Sequence, residues 1–130
     1  MKALLLGVAM LSTAACAQPV KPSVGRQPGS ATASYSQKTL LKNWAVSVCL
    51  AKVAKSQEAK EDANATASAY MEFGKQPIEA YEPLRELADT YSKRVYGGAV
   101  QSEFNTMKCI DLMHSKELET LAARLSKQAR

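Results

Sequence analysis

Residues 39–55 read TLLKNWAVSVCLAKVAK. Leu40, Leu41, Trp44, Val48 and Cys49 recur at spacings of one, three and four, the signature of a helix face. Leu50 and Val53 widen that face. The stretch therefore predicts a first helix over about 37–55, buried on most sides and surrounded by other elements.

The chain around it has the same period. Ala59, Ala63, Thr66, Ala67, Tyr70 and Phe73 form a second stripe, with Glu58, Lys60, Glu61 and Asp62 facing away and Gly74 placed to end the helix. Two prolines follow, Pro77 and Pro83. A proline inside a helix costs about 3 kcal/mol but is tolerated in the first turn. A turn over 76–82 and a third helix from Pro83 to Val95 follow from this, with Leu84, Leu87, Ala88, Tyr91 and Val95 inward. Val100, Phe104, Met107 and Ile110 predict a fourth helix. Ser115 caps a fifth, which buries Leu118, Leu121, Ala122 and Leu125. No segment of useful length has a strand period, and there is neither a repeat nor a sustained heptad run. The fold class is all-α: one small antiparallel bundle of four to five helices over residues 37–130.

The first 36 residues are of another kind. MKALLLGVAMLSTAACAQP, residues 1–19, has one early lysine, an uncharged apolar run and small residues about Cys16. It reads as a secretory signal of bacterial style, too short to span a bilayer as a mature helix. Two processing modes fit. Ala15-Cys16-Ala17 permits cleavage after Ala17, giving a signal peptide of residues 1–17. Thr13-Ala14-Ala15-Cys16 resembles a lipobox, giving a lipoprotein signal of residues 1–15 and an acylated Cys16. Thr13 departs from the leucine usual in that motif. Residues 18–36, QPVKPSVGRQPGSATASYS, are rich in Pro, Gly, Ser and Thr and read as a flexible linker.

Export settles the expected cysteine chemistry. The chain has three cysteines. With Cys16 removed or acylated, Cys49 and Cys109 form an even pair in an oxidising compartment, and a disulfide is expected.

Residues 107–118, MKCIDLMHSKEL, place Cys109, Asp111 and His114 close together in sequence. These are the residue types of a catalytic triad or metal site. On a helix, however, Cys109 and Asp111 are about 200° apart, and Cys109 and His114 about 140°. Only Asp111 and His114 share a face. Paired in a disulfide, neither cysteine offers the thiolate that nucleophilic catalysis needs. Two distant cysteines and one histidine lack zinc-ligand spacing. No catalytic residue, metal or cofactor is expected. There are 17 Lys and Arg against 12 Asp and Glu. Without Lys2 the balance is 16 to 12, and the basic residues are scattered. That pattern argues against nucleic-acid binding.

The order of features resembles a known family. WAVSVCLA lies in the first helix, YEPLREL in the middle and MKCIDLMHSKEL near the end. Together, over roughly residues 38–126, they are similar to the periplasmic immunity proteins that block papain-like peptidoglycan amidase effectors of type VI secretion systems. The resemblance implies an all-α inhibitor that dimerises, acts in the periplasm by occlusion and has no chemistry of its own. Its partner would be the cognate amidase. A loop or helix edge would enter the amidase cleft. The elements suited to this are the Tyr96-Gly97-Gly98 turn and the acidic series Glu79, Glu82, Glu86 and Asp89. Glycines permit close backbone approach, and tyrosines at 91 and 96 are residue types that anchor interfaces. The alternative reading is a structural or adaptor lipoprotein of the cell envelope.

Overall fold

A computed structural model describes residues 31–129. The signal segment, Cys16 and the linker as far as residue 30 lie outside the described residues, as does Arg130. Five α-helices follow in order: α1 (Gln37–Val53), α2 (Gln57–Glu72), α3 (Glu82–Ser92), α4 (Asn105–His114) and α5 (Lys116–Leu125). Short 3-10 turns occupy Ala31–Ser34, Ile78–Tyr81 and Ser126–Gln128. No strand occurs among the described residues. No helix among them is long and apolar enough to cross a membrane.

The helix α1 is the axis of the bundle and touches the other four. It buries Leu40, Leu41, Trp44, Ala45, Ser47, Val48, Cys49 and Ala51. Ser36 caps it by accepting a hydrogen bond from the Thr39 amide at 3.1 Å. Ser56 and Ser115 cap α2 and α5 in the same way, each accepting at 3.1 Å. Each such cap is worth about 1 kcal/mol. Trp44 meets Tyr81 edge-on with ring centroids 5.0 Å apart, and the Arg85 guanidinium covers the Trp44 ring at 5.2 Å. The last turn of α2 is tied back to α1 by Gln37. Its amide donates to the Phe73 carbonyl at 3.2 Å and accepts from the Lys75 amide at 2.8 Å.

Several expectations change at the element ends. The end of the stretch read as linker is partly ordered: Ala31–Ser34 forms a 3-10 turn, and Thr32 is buried. Leu50 is 38% exposed rather than part of the buried face. In α2 only Ala63 and Ala67 are fully buried. Two small side chains let α2 lie close on α1, which leaves Ala59 and Phe73 at the surface. Gly74 does not take a left-handed conformation. Space demands it instead, because a Cβ there would lie 2.1 Å from the Tyr81 hydroxyl. The helix α3 stops at Ser92, where the Ser92 hydroxyl donates to the Asp89 carbonyl at 2.8 Å. Val95 therefore leaves the helix and is exposed.

The largest difference is the inward face of α4, which carries Lys108, Cys109 and Leu112. Met107 and Ile110 point outward, 47% and 51% exposed. The expected stripe and the observed one both have helical spacing, so period alone does not choose between them. The choice is made by the disulfide between Cys49 and Cys109, whose Cα atoms are 5.7 Å apart. It holds Cys109 against α1. Lys108 buries its alkyl stem, and its ammonium donates to the Asn105 side-chain oxygen at 2.8 Å. With the cysteines 60 positions apart in sequence, loop-closure entropy assigns the bond about 4 kcal/mol at most. Reduction, or the double change Cys49→Ala/Cys109→Ala, should lower the unfolding free energy by about 2–4 kcal/mol in urea titrations. A loss below about 0.5 kcal/mol would show that packing alone sets the face of α4.

Glu119 on α5 joins the first and last helices electrostatically. Its carboxylate accepts from Lys38 at 2.6 Å and Lys42 at 2.8 Å, both on α1. Hydrogen bonds from Lys38 and then Lys42 lower its pKa from 4.5 to about 2. A carboxylate depressed on folding adds stability that is whole above its unfolded pKa and is lost as the pH falls through the folded one. The melting temperatures of the parent and Glu119→Gln should thus differ near neutral pH and converge between 4.5 and about 2. An offset unchanged across that window would remove these ion pairs as its cause. The side chain is 46% exposed, so added salt should also shrink the difference.

Candidate functional site: the loop between α3 and α4

The segment from Lys93 to Phe104 contains no regular secondary structure. Backbone hydrogen bonding stops at Arg94, whose amide donates to the Tyr91 carbonyl, and resumes where the Lys108 amide donates to the Phe104 carbonyl. The course of the loop is therefore set by side chains. On the entry side, Lys93 pairs with Asp89, which is also paired with Lys52 at 3.0 Å. The Arg94 guanidinium lies 3.5 Å from the Tyr91 ring centroid. The Tyr96 hydroxyl donates to an Asp111 carboxylate oxygen at 2.6 Å. That bond to the carboxylate raises the pKa of Tyr96, with partial burial adding to it, so the hydroxyl stays protonated.

On the exit side, Phe104 adopts φ 52° and ψ 37°, the left-handed region, immediately before α4. A bulky side chain costs of order 1 kcal/mol there. The Phe104 amide donates to the Ser102 hydroxyl at 3.2 Å. Its ring lies against Gly98, where an added Cβ would come within 2.8 Å of it. Lys55 pairs with Glu103, and Asn105 donates to the same carboxylate at 2.8 Å. Those two contacts, Lys55 first, lower the Glu103 pKa. Between these anchors the tip is open. Val95 and Val100 are 94% and 70% exposed, and a Cβ on Gly97 would meet nothing within 4 Å. From Gly97 to Gln101 no side chain has a hydrogen-bond or ion-pair partner among the described residues.

The exit half of the loop borders a groove of about 760 Å³ lined by Lys55, Glu103, Phe104, Asn105, Met107 and Ile110, among others. The outward face of α4 thus continues the loop as an apolar surface, with Met113 also 39% exposed.

The residues singled out in the sequence are distributed unevenly about this loop. Tyr96, Gly97 and Gly98 all belong to it. Tyr91 is only 3% exposed and packs in the core. The acidic series does not form one open patch. Asp89 is paired with Lys93 and Lys52, which lower its pKa. Glu82 lies 3.6 Å from Arg85. Glu86 is exposed along α3, and Glu79 lies beyond its N-terminal end, in the preceding 3-10 turn. Cys109, Asp111 and His114 are likewise separate: the cysteine is bridged, the aspartate holds Tyr96, and the histidine is exposed at the end of α4. No group of three or more metal-ligating side chains occurs among the described residues.

Residues 39–122, which span both bridged cysteines and the whole loop, match the Tai4 family profile, described as type VI secretion system amidase immunity protein. The chain belongs to the Tai4 family. No curated protein sequence matches it. Among solved structures it is similar to a chain of the Tae4/Tai4 effector–immunity system of Salmonella typhimurium. The identity is 52%, over 75% of this chain and 96% of that one, with a TM-score of 0.71. It is also similar, at 29% identity over 75% of this chain and 99% of the other, to a chain of the Tae4–Tai4 complex of Enterobacter cloacae, with a TM-score of 0.66. A third relative lies in a complex of Salmonella typhimurium Tae4 with Enterobacter cloacae Tai4. There the identity is 29%, over 74% and 99% of the two chains, and the TM-score 0.65.

The two loop glycines should behave differently when substituted. Gly98→Ala should push the Phe104 ring aside and cost about 1–2 kcal/mol in denaturant titrations. Gly97→Ala, facing open space, should stay within about 0.5 kcal/mol of the parent. Equal costs would mean that the Gly98–Phe104 contact does not shape the loop.

Proposed function

We propose that this chain is an immunity protein that binds the peptidoglycan amidase effector cognate to it and blocks the amidase cleft with the Lys93–Phe104 loop. The observation that carries this reading is the Tai4 family match over residues 39–122. Complexes of Tae4 with Tai4 in related systems support the partner class. The loop supports the mode of action. It projects exposed aliphatic side chains at Val95 and Val100 from a bundle that is covalently closed behind it. An anchored loop loses less conformational entropy on binding than a free one.

In this reading the chain acts as a non-enzymatic inhibitor. Tyr96, Gly97 and Gly98 form the inserting turn. Glu79 and Glu86 are the members of the acidic series left to face a basic rim on the amidase, since Asp89 and Glu82 are engaged within the chain. Residues 1–17, or 1–15 with an acylated Cys16, direct the chain to the periplasm. Residues 18–36 link that segment to the binding domain. Two copies act together as a homodimer, for which the apolar outer face of α4 offers area.

The test is a titration of residues 18–130 into the cognate amidase, following crosslink cleavage in peptidoglycan. Activity should fall stoichiometrically at nanomolar protein. Val100→Asp, at an exposed site, should leave the melting temperature unchanged and weaken inhibition by about tenfold or more. Undiminished cleavage at large excess, with no complex on a sizing column, would overturn the proposal and favour an envelope adaptor. Full potency in Val100→Asp would move the contact off the loop.

A further inference from the structure

We infer that Asp111 is a positioning residue: its carboxylate, fixed on α4, latches Tyr96 and so sets the course of the first half of the Lys93–Phe104 loop. The inference rests on the reading of that loop as the inhibitory element. It goes further in assigning the loop's readiness to a residue that need not touch the amidase.

The geometry singles out this bond. Among the described residues no backbone hydrogen bond holds the chain between Arg94 and Phe104. The exit half has several supports, at Ser102, Glu103, Phe104 and Asn105. Beyond Lys93 and Arg94, one side-chain hydrogen bond among the described residues joins the entry half to another element, from Tyr96 to Asp111 at 2.6 Å. It joins a neutral donor to a carboxylate, the stronger class of hydrogen bond. Asp111 lies two residues after Cys109, which is bridged to the central helix. The latch is thus built on a part of α4 that cannot shift or turn freely. Without it, the segment Val95–Val100 would sample many courses, and only the fraction with the right one could bind. Apparent affinity falls in proportion to that fraction.

The experiment compares Tyr96→Phe, Asp111→Ala, Asp111→Asn and the double variant Tyr96→Phe/Asp111→Ala. Two readouts are taken. The first is the NMR backbone order parameters of residues 95–103 in the free protein. The second is inhibition of the cognate amidase. Tyr96→Phe and Asp111→Ala should each lower the order parameters in the loop, without lowering them in α1, and should weaken inhibition by about tenfold. The double variant should be no worse than either single one, because both remove the same bond. Asp111→Asn retains an acceptor oxygen and should keep most of both properties. Unchanged order parameters in Tyr96→Phe and Asp111→Ala would overturn the latch while leaving the loop reading intact. A looser loop with full inhibition would overturn the loop reading, and the positioning role with it. Loss of inhibition in Tyr96→Phe alone, with unaltered order parameters, would make the Tyr96 hydroxyl a direct contact and Asp111 dispensable.

Discussion

The covalent tie between α1 and α4 is the constraint on which the rest of the structure turns. The helix α1 is buried on most sides and would occupy the centre of any bundle formed by this chain. What its packing leaves open is the rotation of α4 about its own axis. Cys109 removes that freedom by bonding to Cys49. Once it points inward, Leu112 follows into the core, and Met107 and Ile110 are turned to the surface. Asp111 is set where Tyr96 can reach it. One bond thereby fixes the core face of α4, the apolar outer face and the footing of the loop.

The parts of this architecture legible in the sequence are those written in strong, unambiguous patterns. The helix α1, the serine caps at Ser115 and the burial of α5 follow from dense apolar periodicity and capping chemistry. The disulfide follows from cysteine arithmetic once export is assumed. The failures share a cause. In α4 two apolar series satisfy the helical period equally, and a lysine at 108 hides the buried one. In α3 the stripe continues to Val95 on paper, but Ser92 ends the helix locally and Arg94 folds back over Tyr91. Gly74 does stand just past the end of α2, as its signal says, but glycine is needed there to make room for a tyrosine hydroxyl and not for a left-handed turn.

The candidate site was legible only in part, for a related reason. Tyr96, Gly97 and Gly98 mark a turn by composition, and the structure places them in a projecting loop. The supports of that loop come from elsewhere: Lys55 from the α1–α2 junction, and Asp111 from the middle of α4. Such pairings across the fold have no local pattern. The acidic series shows the converse. It is conspicuous in sequence, yet two of its four members are matched to basic residues of the same chain. The charge on this surface is therefore largely neutralised within the chain, while its exposed aliphatic side chains are not covered.

The contact of Gly98 with Phe104 has a consequence for how such chains can diverge. The backbone at 104 is of the kind that glycine or asparagine occupies at least cost, yet the ring there supports the loop from beneath. A smaller residue at 104 would relieve the backbone and leave a gap under position 98. A larger residue at 98 would require the ring to leave. Neither position can drift alone. Relatives that keep this loop shape should retain the pair together, and those that replace one should replace both. Across the family, linked variation of these two positions would mark the lineages in which the loop has been rebuilt.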